Sequence, residues 1–271
     1  MLRLVGTTHL TSDGAKSPLK FALKNCGGMP LWNRALTING VDAFYVGNVC
    51  DTCGFFFEKL IGPNSGLEID DLRTKLEIGT GNPSTEVLGT LAQLMPKSDY
   101  TVATLKVLPE HVRPLERGDY FAQEDFDYED DYDIIEYGPP EPHNPKTEYY
   151  RISGRSGVSI EDESASGNAF DFIIPLIARQ SLDQDRIDYF KDAISRGQTT
   201  TAVALSVLDI KGPSSKDRVH WCLAHYVLDG HHKLAAAAET KSEITLLAFI
   251  ALAHGVSSPS HVERLLDTFP M

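Results

Sequence analysis

The sequence predicts an α+β protein in two units, and three observations carry that expectation. Asn39-Gly40 stands between two strand-like segments, the strongest short-range hairpin signal, and helical periodicity follows it within the first 117 residues. The last hundred residues alternate strand-length apolar runs with segments of helical period. Between the two lies an acidic stretch, Gly118 to Pro145, without a single Lys or Arg and closing on Pro139-Pro140-Glu141-Pro142. The expected organisation is an α+β unit at 1–117, an acidic linker or docking segment at 118–168, and a mixed sheet with helices at 169–271.

Composition bounds the function classes. With 271 residues, 42% hydrophobic and 23% charged, the chain is long and apolar enough for a sizeable core. A formal charge of -13 argues against non-specific binding to a nucleic-acid backbone, which needs a basic face. No stretch reaches the roughly 18 apolar residues that span a bilayer. The start, Met1 to Thr7, lacks the basic and apolar regions of a secretion signal. A cytoplasmic protein without membrane contact is therefore expected.

In the first unit, residues 34–38 and 42–46 flank the Asn-Gly pair as strands. A helix is expected at 68–78, with Ile69, Leu72 and Leu76 on one face. A second follows Pro83, with Ser84 as N-cap and Val87, Leu88, Leu91 and Leu94 in register. Tyr100 to Leu108 alternates like a strand. In the acidic stretch the aromatics Tyr120, Phe121, Phe126, Tyr128, Tyr132 and Tyr137 are interleaved with carboxylates. A plain acidic run reads as a solvated linker, whereas these aromatics point to docking on the protein itself or on a protein partner through residues 119–142.

The second unit reads as a strand at 170–177, a helix at 185–195 carrying Ile187, Phe190 and Ile194, and a strand at 200–210. A strand at 221–228, a helix at 232–240 and a strand at 244–253 come next. A closing helix is announced by Ser258-Pro259, with Val262, Leu265 and Leu266 on one face. The most informative stretch is Trp221 to Glu239, where an apolar strand breaks at Asp229-Gly230 and restarts as His231-His232-Lys233, Leu234 and four alanines. A strand turning directly into a helix leaves unpaired backbone N–H groups at the positive end of the helix dipole, which suits an anion. On that turn Gly230 permits close backbone approach, Asp229 braces the turn or orients a histidine, and His231, His232 and Lys233 add side-chain donors. The plainer reading is a tight turn, since Asp-Gly is a common turn pair.

The order of elements at 170–255 resembles the ParB/sulfiredoxin-like fold. The helix ending Ala193-Ile194-Ser195-Arg196-Gly197 is similar to the family's helix-plus-glycine, and 201–208 to the strand after it. Tyr226 to Ala236 resembles its strand, phosphate-binding turn and alanine-rich helix. The turn is closest to branches with Asp-Gly-His-His-Arg, some of whose members are nucleotide-dependent kinases of small molecules such as free serine. The resemblance implies ATP, ADP or CTP with magnesium, its phosphates on Gly230 to Lys233, and phosphoryl transfer to a small acceptor. His231 stands where sulfiredoxins need a reactive Cys, and the Glu-Arg-Arg continuation and DNA module of the ParB branch are missing. Lys233 replaces the branch's Arg, keeping the charge but not the bidentate fork.

Candidate catalytic groups are His231, His232 and Asp209, the last near the end of a central strand; Asp183 and Asp185 precede the unit's first helix. Each carboxylate suits a base or a magnesium ligand, and each equally suits a cap or turn. Arg179 and Gln180 are candidates for phosphate contact. Cys50 and Cys53 have knuckle spacing, with Cys26 as a third thiolate and His9, Cys222 or a carboxylate as the fourth ligand of a zinc site; buried unreactive thiols are the simpler account. Trp32, Trp221 and Phe55-Phe56-Phe57 read as core. Set against the nucleotide-binding reading is a non-catalytic scaffold that works through a protein partner.

Overall fold

A computed structural model of the protein describes residues 2–25, 32–48, 55–60, 83–116, 118–123, 143–212 and 219–271. The chain begins with β1 (Leu2–Ser12), β2 (Leu19–Asn25), β3 (Trp32–Ile38), β4 (Val41–Asn48) and β5 (Glu58–Lys59). Asn39 and Gly40 join β3 to β4 with φ of 52° and 79°, and Ile38 pairs with Val41. Positive φ at both central residues matches the twist of the flanking strands, so the Asn-Gly hairpin forms as expected. α1 (Thr85–Ala92) starts at Ser84, whose side chain accepts from the Val87 amide, and buries Val87, Leu88 and Leu91. The helix expected at 68–78 lies outside the described residues.

β6 (Ser98–Val107), β7 (Pro109–Val112) and the short α2 (Tyr120–Gln123) follow, then β8 (Tyr149–Ile152), β9 (Val158–Ile160) and β10 (Gly167–Pro175). After a 3-10 turn at Arg179–Ser181 come α3 (Gln184–Ser195), β11 (Thr201–Lys211), β12 (Val219–Asp229), α4 (His231–Thr240), β13 (Ile244–Ala251) and α5 (Pro259–Asp267). α5 carries a full capping box at Ser258 with Pro259 in its first turn, and it buries Val262, Leu265 and Leu266.

The protein is α+β, with a large mixed sheet and few helices. Nine strands form that sheet in the order β1-β6-β13-β11-β12-β10-β8-β7, with β9 beside β10; β2-β3-β4-β5 form a second sheet. β10 with β12 and β11 with β13 are parallel pairs, and β6 pairs antiparallel with β13 from Tyr100↔Ala251 to Val107↔Ile244. The sheet thus crosses the boundary drawn from the acidic stretch. β1 and β6 from residues 1–117 continue the strands of 169–271, because the acidic composition marks an excursion of the chain and carries no information on strand pairing.

Alternation sorts the sheet into two faces. Val203, Leu205, Val207, Tyr226, Leu247 and Phe249 point toward the second sheet and α1, where Leu36, Phe44 and Leu91 meet them. Ala204, Leu208, Val227, Leu246 and Ala248 point to the other side and pack with Leu234 and Ala237 of α4 and Leu265 of α5. With both faces covered, β11 and β13 are buried at every residue, which is why they read as continuous apolar runs.

The chain passes from β6 to β7 with only Leu108 between them. β6 is second from one edge and β7 forms the other, so the sheet bends back on itself. α4 sits inside the bend against β7, β11 and β13, with α3 packed over it. Ala235 and Ala236 meet Ile187 and Phe190 of α3, so the alanine run is small because the helix is enclosed.

The acidic stretch begins inside the core. Asp119 accepts from the Tyr149 hydroxyl and from the Leu115 amide, each at 2.7 Å. Tyr120 and Phe121 are 5% and 2% exposed, packing on Phe172. These two aromatics therefore dock on their own protein. Residues 124–142 lie outside the described residues.

His225 on β12 is fully buried; its Nδ1 lies 2.8 Å from Ser206 Oγ, and Nε2 has no hydrogen-bond partner among the described residues. Burial pushes its pKa down to about 3.

Candidate functional site

The expected turn is where the sequence placed it. β12 ends at Asp229, Gly230 takes φ 96° as N-cap, and α4 begins at His231. Gly230 is needed for packing as well as for its left-handed backbone. A Cβ there would lie 2.8 Å from both Cα and Cβ of Ala202 and 3.2 Å from Thr201 O. The close approach that glycine allows is to β11.

The polar side chains of the turn face the protein. His231 is 5% exposed, and its Nε2 accepts from the Leu176 amide at 3.1 Å. Burial lowers its pKa to about 4, opposed by the charge of Asp229. His232 Nε2 accepts from the Asp183 amide at 3.2 Å. Lys233, 3% exposed, donates to Thr201 O at 3.2 Å, lies 3.7 Å from Asp229 Oδ2 and sits over the Phe190 ring at 5.7 Å. The three donors expected to meet a phosphate are thus engaged in holding α4 to β10, β11 and α3. The overlooked signal is the helix itself, which after Lys233 has no polar face until Glu239 and so had to be enclosed.

Two buried imidazoles below their ordinary pKa make stability depend on acid. The unfolded chain takes up protons near pH 6.5, whereas folded His231 and His225 resist until about pH 4 and about pH 3. Stability from these groups is whole above pH 6.5 and falls by about 1 kcal/mol per pH unit for each histidine as pH drops toward 4. Urea unfolding at pH 7 and pH 5 measures the slope, and His225→Asn is expected to flatten it by about half; an unchanged slope contradicts the assignment.

The candidate carboxylates are not brought to the turn. Asp209 opposes Cys222 on β12, whereas Asp229 opposes Val203; the two lie at opposite ends of β11, roughly 20 Å apart at strand rise. Asp209 is 1% exposed and forms a two-pronged pair with Arg34 of β3, Nη1 to Oδ1 at 3.1 Å and Nη2 to Oδ2, and it accepts from the Val256 amide at 2.8 Å. Its chemistry is that of a buried clamp between the two sheets. Asp183 is the N-cap of α3 and accepts from the amide of Asp185, which lies in the first turn; both act as helix-start residues.

Arg179 and Gln180 do reach a cleft. It measures about 570 Å³ and lies between β5, residues 144–148 and the 3-10 turn after β10; Lys59, Lys146, Thr147, Glu148, Arg179, Gln180 and Ser181 are among its walls. None of residues 229–233 lines it. Three cations thus face one carboxylate in a chain with 25 basic and 38 acidic residues. Arg179 is paired with Glu239 and Lys146 with Glu58; Glu148 is engaged by His111 at 3.0 Å and Arg113 at 3.8 Å. The Lys59 ammonium has no ion pair or hydrogen bond among the described residues, and burial lowers its pKa. Sequence reading passed over Lys59 and Lys146. The available signal was slight: Lys146 is the first cation after the acidic stretch.

Cys26, Cys50 and Cys53 lie outside the described residues. Cys222 is a buried thiol on β12, 3.9 Å from the Tyr120 hydroxyl, while His9 is on the edge strand β1, with β6, β13 and β11 between them in the sheet. No group of three or more His, Cys, Asp or Glu that could hold a metal is present among the described residues, and no helix among them is long and apolar enough to cross a membrane. No protein-family model matches the chain, no curated protein matches it, and no solved structure matches it.

Proposed function

We propose that the protein binds a phosphorylated small molecule or nucleotide in the cleft that contains Arg179 and Gln180. The observation that carries this reading is the concentration of Lys59, Lys146 and Arg179 on a cleft whose described lining residues include one carboxylate, Glu148, in a protein of formal charge -13. A concave wall of one sign focuses potential and attracts the opposite charge. Arg179 offers a planar fork, Gln180 an amide and Lys59 an ammonium without an ion pair among the described residues, a donor set suited to phosphate oxygens. The volume falls within the roughly 300–1,000 Å³ of small-molecule sites. None of the carboxylates Asp183, Asp185 and Asp209 lines the cleft, so the reading is one of binding.

Calorimetric titration with ATP, ADP and CTP, each with magnesium, tests it. Arg179→Ala is expected to weaken binding about tenfold or more, the worth of one charge-assisted contact, while His232→Ala leaves it unchanged. The reverse pattern places the anion on the α4 turn. Absence of heat with all three nucleotides and with inorganic phosphate removes the reading.

A further inference from the structure

We propose that Lys59 is a carbonyl-capturing amine, which forms an imine with an aldehyde or ketone whose anionic group is held by the same cleft. The inference rests on the anion-binding reading and adds a covalent step to it. Lys59 is partly buried on β5, on the wall of the cleft with Arg179 and Lys146. Among the described residues no carboxylate pairs with its ammonium, whereas Lys146 is paired with Glu58 and Arg179 with Glu239. A lysine desolvated in a cleft beside other cations keeps a larger share of its amine unprotonated, which is the reactive form. Burial lowers the pKa of Lys59.

The chemistry balances without an oxidant or reductant. The Lys59 nitrogen lone pair attacks the carbonyl carbon, the π pair moves to oxygen, and that oxygen takes a proton while nitrogen gives one up, leaving a neutral carbinolamine. The hydroxyl then leaves as water with a second proton, nitrogen loses its remaining extra proton, and C=N replaces C=O. Glu148, the carboxylate among the described cleft-lining residues, with His111 bonded to its Oε2 at 3.0 Å, is the acid–base group proposed for these transfers. The ligand class is therefore a small carbonyl compound bearing a phosphate or carboxylate.

Pyridoxal 5′-phosphate and pyridoxal, each followed by borohydride reduction and peptide mass spectrometry, test the proposal on the full-length protein. The exposed Lys16 and Lys241 serve as internal standards. Lys59 is expected to be modified faster than either, with a rate that levels off at lower pH than theirs, because burial lowers its pKa. Lys59→Arg, checked for an unchanged melting curve, removes the fast site. Preference for the phosphorylated probe, lost when inorganic phosphate is added, supports both the imine and the anion reading. Equal rates with the two probes support the imine and count against the anion reading. Modification of Lys59 no faster than Lys16 and Lys241 overturns the proposal, even where calorimetry detects bound nucleotide.

Discussion

Replacing Asp209 by Ala is expected to cost about 3–5 kcal/mol of unfolding free energy. The loss arises from what stays behind. Arg34 is 2% exposed, and its guanidinium also donates to Val46 O at 2.7 Å and to His254 O, so it cannot swing into water when its partner is removed. A buried charge without its counter-ion is far more costly than a buried pair is favourable. Asp209 additionally accepts from the Val256 amide, which would lose its partner. Equilibrium unfolding in urea measures the effect. The double variant Arg34→Met with Asp209→Leu is expected to recover most of the loss, because apolar side chains of similar volume replace the pair. Equal destabilisation of single and double variants would assign the loss to packing rather than to charge.

Gly230→Ala is the second large effect, about 2–5 kcal/mol, as backbone strain and crowding add. Its φ of 96° disfavours any L side chain, and the new methyl would meet the backbone of β11 at Ala202, which cannot yield without moving a central strand. Gly40 provides the comparison. It has φ 79° with nothing within 4 Å of a built Cβ, so Gly40→Ala carries the strain alone and is expected to cost about 1 kcal/mol. Melting temperatures of the two variants separate the contributions. Similar losses would mean that Ala202 moves aside easily and that α4 is held less tightly than its burial suggests.

Local signals in the sequence were sufficient for most elements of the fold. Asn39-Gly40, Ser84 with Val87, and Ser258-Pro259 each act within a few residues, through turn geometry or capping, and each element stands where these residues place it. The apolar runs at β11, β12 and β13 were readable for the same reason. Partner choice is not local. Nothing near Tyr100 announces that β6 will lie beside β13, and the aromatics of the acidic stretch signalled docking without deciding whether Tyr120 and Phe121 would meet this protein or a partner.

The candidate site divides along the same line. The hinge at Gly230 was legible because a strand, a glycine and an alanine-rich helix follow one another directly. The direction of His231 and Lys233 was not, since it depends on β10, β11 and α3 closing over the helix. Arg179 and Gln180 were chosen as residues between the unit's first strand and its first helix; they line a cleft whose other walls come from β5 and residues 144–148, far away in sequence. Lys59 follows three phenylalanines in the chain, and only the assembled walls give its amine a context.

The position of β13 between β6 and β11 has a consequence for biosynthesis. A chain emerging from the ribosome can pair β1 with β6, and later β10 with β12 and β12 with β11, yet these two groups share no edge until residues 244–251 have been made. Until then β6 and β11 each present an open row of amides and carbonyls, the kind of surface that seeks a neighbouring nascent chain. Residues 244–251 are therefore the keystone of the sheet, and β6 and β11 stay exposed to such pairing until that segment has left the ribosome.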